Sequence, residues 1–188
     1  MTFSKIKNTG FYKKYEKNRF VLLSFVTAIA IWILIAFCYD MAPFGDITIL
    51  RMDLYHQYGP LFAELRDRLV SGGSLLYSWQ SGGGGSFLGN FFNYLSSPLS
   101  LLVLFFKHIN ITDAIALIII LKCALSAASF TYYLKASDEF KKHNPITAGF
   151  GLLYAFSGYF IAYYWNVMWL DGMLLLPLIV LAQPASKL

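Results

Sequence analysis

The chain has 188 residues, 57% of them hydrophobic and only 13% charged, a balance outside the range of ordinary soluble domains and characteristic of membrane proteins. The net charge of +5 comes entirely from residues 1–19, where Lys5, Lys7, Lys13, Lys14, Lys17 and Arg19 face Glu16 alone. A basic tail running straight into an apolar stretch speaks for membrane orientation, and no basic face recurs downstream, so nucleic acid is set aside as a partner.

Residues 1–19 therefore read as a cytoplasmic tail and 20–39 as the first transmembrane helix. Those twenty residues carry no charge and can span a hydrocarbon core of about 30 Å. The Cys38-Tyr39-Asp40-Met41 boundary offers no small-residue cleavage site, so the segment is an uncleaved anchor and not a signal peptide. By the positive-inside rule the long stretch 40–110 then lies on the outer face.

That outer loop is rich in Gly, Tyr, Phe and Asn, and its length alone makes it more than a connector. Within it, 60–70 predicts an amphipathic helix lying along the membrane surface. Pro60 suits the first helical position, Leu61, Phe62, Leu65 and Leu69 share a face, Glu64 can pair with Arg68, and Gly72-Gly73 stops it. The glycine run 82–86 sits among aromatics and reads as a place where backbone must approach something closely. Residues 98–106 are apolar but about half the length of a span, and are read as interfacial or re-entrant.

A second transmembrane helix is expected over 111–134, with Lys122 at its middle and a small-residue segment, Ala124 to Ser129, suited to close helix contact in lipid. A cytoplasmic loop at 135–145, a third span at 146–165 with Tyr163, Tyr164, Trp165 and Trp169 at its outer interface, and an outer loop at 166–172 follow. Residues 173–188 look like the start of a further helix that the sequence cuts short. The terminal Ser186-Lys187-Leu188 matches a peroxisomal address, read here as coincidence. The expected fold is thus an all-α polytopic transmembrane bundle with a long first outer loop holding short amphipathic and re-entrant helices.

Few residues in this pattern can do chemistry. Cys38 and Cys123 fall in apolar runs, and His56, His108 and His143 are scattered, so neither a disulfide nor a zinc site is indicated. Asp53, a dozen residues beyond the first span, can serve as a general base or hold a divalent cation, the one cofactor considered. From spacing alone it reads more readily as a loop carboxylate paired with Arg51 or capping a helix. His56 and Gln57 can hydrogen-bond a sugar or phosphate or be ordinary loop polarity, Asn93 is a ligand contact or a helix cap, and Trp79 with Tyr77 can stack on a sugar ring or simply anchor at the interface. Lys122 is the costliest residue, since a cation in mid-helix is penalised by about 2.5–3.5 kcal/mol even on insertion scales. Its partner is either a lipid phosphate or an acid from another helix. Asp171 in Trp169-Leu170-Asp171-Gly172 either joins Asp53 or marks a polar stop.

Several runs together carry a resemblance: Asp53-Leu54-Tyr55-His56-Gln57-Tyr58, the stretch 72–79, the glycine run, Tyr94-Leu95-Ser96-Ser97-Pro98-Leu99, Asn166-Val167-Met168-Trp169-Leu170-Asp171 and Leu176-Pro177-Leu178. From about residue 20 to 181 the chain resembles the YfhO family of bacterial membrane proteins. That family in turn resembles C-type glycosyltransferases, polytopic enzymes that take a sugar from a polyprenyl-phosphate donor at the outer face, and members are implicated in glycosylating teichoic acids. The resemblance implies that Asp53 matches the catalytic carboxylate of the first outer loop and Asp171 a second carboxylate in the next. It also implies a far longer chain than this one. The expectation is inverting sugar transfer to a cell-envelope acceptor at the bacterial cell membrane, with the N-terminus cytoplasmic. A transporter or flippase of lipid-linked intermediates and a non-catalytic scaffold are the rivals, the first favoured by Lys122 and broken helices.

Overall fold

The computed structural model describes residues 10–136 and 145–183. The start of the basic tail, most of the 135–145 segment and the terminal Ser-Lys-Leu lie outside the described residues.

The framework is an antiparallel pair of long helices. Helix α1 covers Gly10–Cys38, beginning well before the apolar run because the tail residues continue the same helical path. The other long helix covers Ile111–Ala136 and is α4 in chain order. At one end Lys135 donates to Asn18 Oδ1 at 2.8 Å, and one turn further in the hydroxyls of Thr131 and Ser24 stand 3.0 Å apart. Toward the other end Trp32 and Ala36 of α1 and Thr112, Asp113 and Ala116 of α4 line one cavity. The C-terminal end of α1 and the N-terminal end of α4 therefore lie together, and the intervening segment 39–110 leaves and rejoins the bundle at the same end.

That segment folds around its own core. A π-helical turn at Leu54–Tyr58 runs into α2, Gly59–Ser71, which ends where Gly72 turns left-handed at φ 70°, a conformation open to glycine without penalty. Glu64 and Arg68 form an ion pair at 2.6 Å one turn apart. Strands β1 (Tyr77–Ser78) and β2 (Gly85–Ser86) pair as a small antiparallel hairpin, closed by the positive φ angles of Gly82, Gly83 and Gly84. Short α3, Phe87–Asn90, and a π turn at Phe91–Leu95 lead to a 3-10 helix at Pro98–Phe105. The two arms meet at 107°, with the bend at Ser96-Ser97. Leu54, Tyr58, Phe62, Leu65, Phe87 and Leu95 are all fully buried, so the 39–110 segment is a packed unit and not a flexible link.

Helices α5 (Ile146–Ala155) and α6 (Gly158–Tyr163) form an interrupted span, since Ser157 takes extended backbone angles, with ψ 158°, ahead of Gly158. Both residue types are weak helix formers. α5 sits tightly on α4: a Cβ added to Gly151 would lie 2.6 Å from the carbonyl of Ala127 and overlap the Thr131 hydroxyl, the small-residue approach that helices in lipid use. Finally α7, Trp169–Ala182, begins four residues earlier than the apolar run suggests. Asp171 stands in its first turn, where a carboxylate meets the unpaired N–H groups and positive end of the helix dipole. Among the described residues three helices are long and apolar enough to cross a membrane, at Asn18–Cys38, His108–Ala136 and Ile146–Tyr163, and the bent pair makes four if it is counted as one span. The protein is an all-α membrane protein.

Candidate functional site

The first feature is the carboxylate that opens the π turn. Met52 holds a positive φ of 50°, a strained conformation for a side-chain-bearing residue, and it turns the chain so that Asp53 precedes the turn with its side chain in solvent. Asp53 does not cap the turn, and among the described residues it forms no ion pair with Arg51. Neither structural role that its sequence position allowed is therefore taken up.

At the other end of the same turn Tyr58 is fully buried, its hydroxyl 3.5 Å from Asn166 Oδ1, a long contact. Burial pushes the phenol up to about 12, opposed by a backbone hydrogen bond with Met168 and assisted by the nearby Tyr94 and Asp53. Tyr58 thus stays a neutral donor and links the Asp53 turn to the 166–168 segment that leads into α7.

The second feature lies deeper. Lys122, with no solvent exposure, donates from Nζ to the Val167 carbonyl at 2.9 Å and to Asp171 Oδ2 at 2.9 Å. Of the two partners open to it by sequence, the acid of another helix is the one in place. The other carboxylate oxygen of Asp171 accepts from the Ser97 hydroxyl at 3.0 Å, so the bend between the two arms of the loop is fastened to the bundle at this point. The lysine is satisfied as a buried charge must be, while Asp171 keeps 26% exposure of its side chain. That exposed edge opens on a groove of about 350 Å³ lined by Ser96, Ser97, Pro98, Leu99, Leu125, Asp171, Leu174 and Leu175, apolar along its length and polar at one end.

The remaining candidates separate. His56 and Gln57 line a second groove with Gln80, Ser81 and Asn90. Trp79 lies at the turn of the hairpin, 78% exposed and edge-on to Tyr77 with ring centroids 5.0 Å apart. Asn93 is exposed on the next π turn and lines neither groove. No hydrogen bond joins Asp53 to Asp171 among the described residues; Tyr58 and the 166–171 segment are the connection between them. No three His, Cys, Asp or Glu side chains converge among the described residues, so these residues do not assemble a donor set for a divalent cation at Asp53.

Ser97, Tyr58, Asn166, Gln80, Ser81 and Asn90 complete the site without having been singled out by sequence reasoning. For Ser97 and Asn166 a signal existed, since each is a polar residue at the margin of an apolar run. For Tyr58 there was none beyond its place in the run that follows Asp53.

An interrupted bundle with a buried charge pair and a packed 39–110 segment at one end of its helices defines a polytopic membrane protein. The match to the family described as "Bacterial membrane protein YfhO" extends over residues 24–183, and the chain belongs to that family. No curated protein and no solved structure matches it.

Proposed function

We propose that this protein is a membrane glycosyltransferase that moves a sugar from a polyprenyl-phosphate donor to a hydroxyl of a cell-envelope polymer, such as teichoic acid, at the outer face of the bacterial membrane. The N-terminus is cytoplasmic in this reading, and the end of the bundle carrying Asp53 and the outer loop faces away from the cell interior. The observation that carries it is the state of Asp53: an exposed carboxylate that neither caps the turn nor forms an ion pair among the described residues, behind a strained residue and on a packed platform. A group held this way with no structural task is suited to accept a proton.

In the reaction the acceptor O–H attacks the anomeric carbon, its proton passes to the Asp53 carboxylate, and the bond from that carbon to the phosphate oxygen breaks. The electron pair leaves with the polyprenyl phosphate. The configuration at carbon inverts. Asp171 is not the base: its charge is committed to Lys122 and Ser97, and its task is to hold the bend beside the apolar groove in which the lipid chain lies.

The experiment is Asp53→Asn in the full-length protein. The variant inserts and folds as the parent does but loses transfer by about 10²–10⁴-fold, the usual range for a positioned general base. Undiminished glycosylation of the envelope polymer in cells carrying the variant overturns the reading. A flippase would instead respond to Lys122→Met and be indifferent to Asp53→Asn.

A further inference from the structure

A groove of about 300 Å³ runs between the start of α2 and the hairpin, lined by His56, Gln57, Pro60, Leu61, Gln80, Ser81 and Asn90. From its composition we infer that it is a binding site for an uncharged pyranose, the sugar or sugar-bearing end of a substrate of the transferase proposed above, on whose reading the inference rests.

Three carboxamides, a hydroxyl and an imidazole face this space. Carboxamides and hydroxyls both donate and accept, as a ring of sugar hydroxyls demands, since each of these also does both. Pro60 and Leu61 give the same groove an apolar patch that suits the C–H face of a pyranose. Among the described residues no Asp, Glu, Lys or Arg contributes to the lining, so a phosphate, a uronic acid or an amino sugar would be desolvated there without a counter-charge, which is costly. The volume is at the lower end of small-molecule sites, enough for one ring and too little for a polymer.

The walls are held in place before any ligand arrives. Asn90 Nδ2 donates to Ser81 Oγ at 3.3 Å, tying α3 to the hairpin turn. The buried Ser78 hydroxyl accepts from the Gln80 backbone N–H at 3.0 Å, and Ser86 caps α3 by accepting from the Gly89 N–H at 3.0 Å. Such rigidity lowers the ordering cost of binding. Asp53 precedes the turn that carries His56 and Gln57, so the proposed base and the sugar groove share one short element, and Trp79 stands exposed at the adjoining hairpin turn, edge-on to Tyr77.

The test is saturation-transfer NMR on the full-length protein in lipid nanodiscs, with methyl β-glucopyranoside and methyl β-galactopyranoside as probes and glucuronic acid and glucose 1-phosphate as charged counterparts. A neutral pyranoside should give transfer in parent and in Asp53→Asn alike, and the charged compounds at least tenfold less. Gln57→Ala combined with Gln80→Ala should remove it, and Gln80→Glu, which keeps the size and adds a charge, should weaken it. Equal transfer from the charged compounds, or full binding by the double variant, overturns the assignment. Loss of transfer chemistry in Asp53→Asn bears only on the enzymatic reading, so the two ideas fail separately.

Discussion

Lys122 Nζ stands 2.9 Å from Asp171 Oδ2, and the two ends of that bond are buried to different depths: the lysine is wholly enclosed, the aspartate side chain 26% exposed. The asymmetry decides what breaking the pair costs. Asp171→Asn leaves an enclosed ammonium with only the Val167 carbonyl and a neutral amide, and should destabilise by about 3–5 kcal/mol. Lys122→Met leaves a carboxylate that water and Ser97 can still reach, and should cost less. The double variant should recover much of the Asp171→Asn loss, because an apolar side chain in the lysine's place needs no partner. Thermal unfolding of the four proteins in the same detergent checks the order; equal losses from both single variants would contradict it.

The strain at Met52 makes a separate prediction. Its φ of 50° costs about 1–2 kcal/mol for a side-chain-bearing residue, and its side chain is 61% exposed, so little packing offsets that. Met52→Gly should leave stability equal or slightly higher, the relief being partly cancelled by the greater freedom of glycine in the unfolded chain. Met52→Val, branched at Cβ and poorly suited to positive φ, should lower it and displace Asp53. Parallel melting and transfer assays on the two variants separate stability from positioning.

How far the sequence revealed this arrangement depends on the distance over which each decision is made. The termini of α2 were legible because Pro60, the Glu64–Arg68 spacing and Gly72 act within one or two turns. Lys122 was legible as an expense, since a charge in the middle of an apolar run needs a partner wherever the helix goes. Which partner was not legible, because Asp171 lies 49 residues away and the choice is made by how α7 packs on α4. The same holds for Ser97 and Asn166, whose partners are 74 and 108 positions distant. The early start of α7 at Trp169 was hidden because a carboxylate in a first helical turn looks, in one dimension, like a polar loop residue. Asp53 could be located by its spacing from the first span; that it is free of Arg51 is a fact of three-dimensional geometry.

Close approach of α4 and α5 leads to a pair of glycine substitutions with opposite signs. Gly151→Ala places a methyl group 2.6 Å from the Ala127 carbonyl oxygen and against the Thr131 hydroxyl, both on the facing helix, so the helices must separate. Overpacking of this kind costs about 1–3 kcal/mol. Gly149→Ala, two residues earlier on the same helix, meets nothing within 4 Å and should gain part of the roughly 1 kcal/mol by which alanine exceeds glycine in a helix. Denaturation midpoints of the two variants against the parent read the difference directly.

Alkaline titration tests the link between the 54–58 turn and the entry to α7. The Tyr58 phenol is raised from 10.0 to about 12, chiefly by burial, so the folded protein resists ionising it while the unfolded chain does not. A group whose folded value lies above its unfolded one stabilises fully below the lower value and loses that contribution as pH climbs through the upper one. The window is therefore about pH 10 to 12, and in it the parent should lose stability faster than Tyr58→Phe, which has no proton to release. At neutral pH the order reverses. The phenylalanine variant leaves Asn166 Oδ1 in a buried side chain without its Tyr58 contact, a loss of about 1–3 kcal/mol if the oxygen finds no substitute. Stability curves for both proteins at pH 7 and across the alkaline range should cross; parallel curves would mean that the Tyr58 hydroxyl does not hold the two segments together.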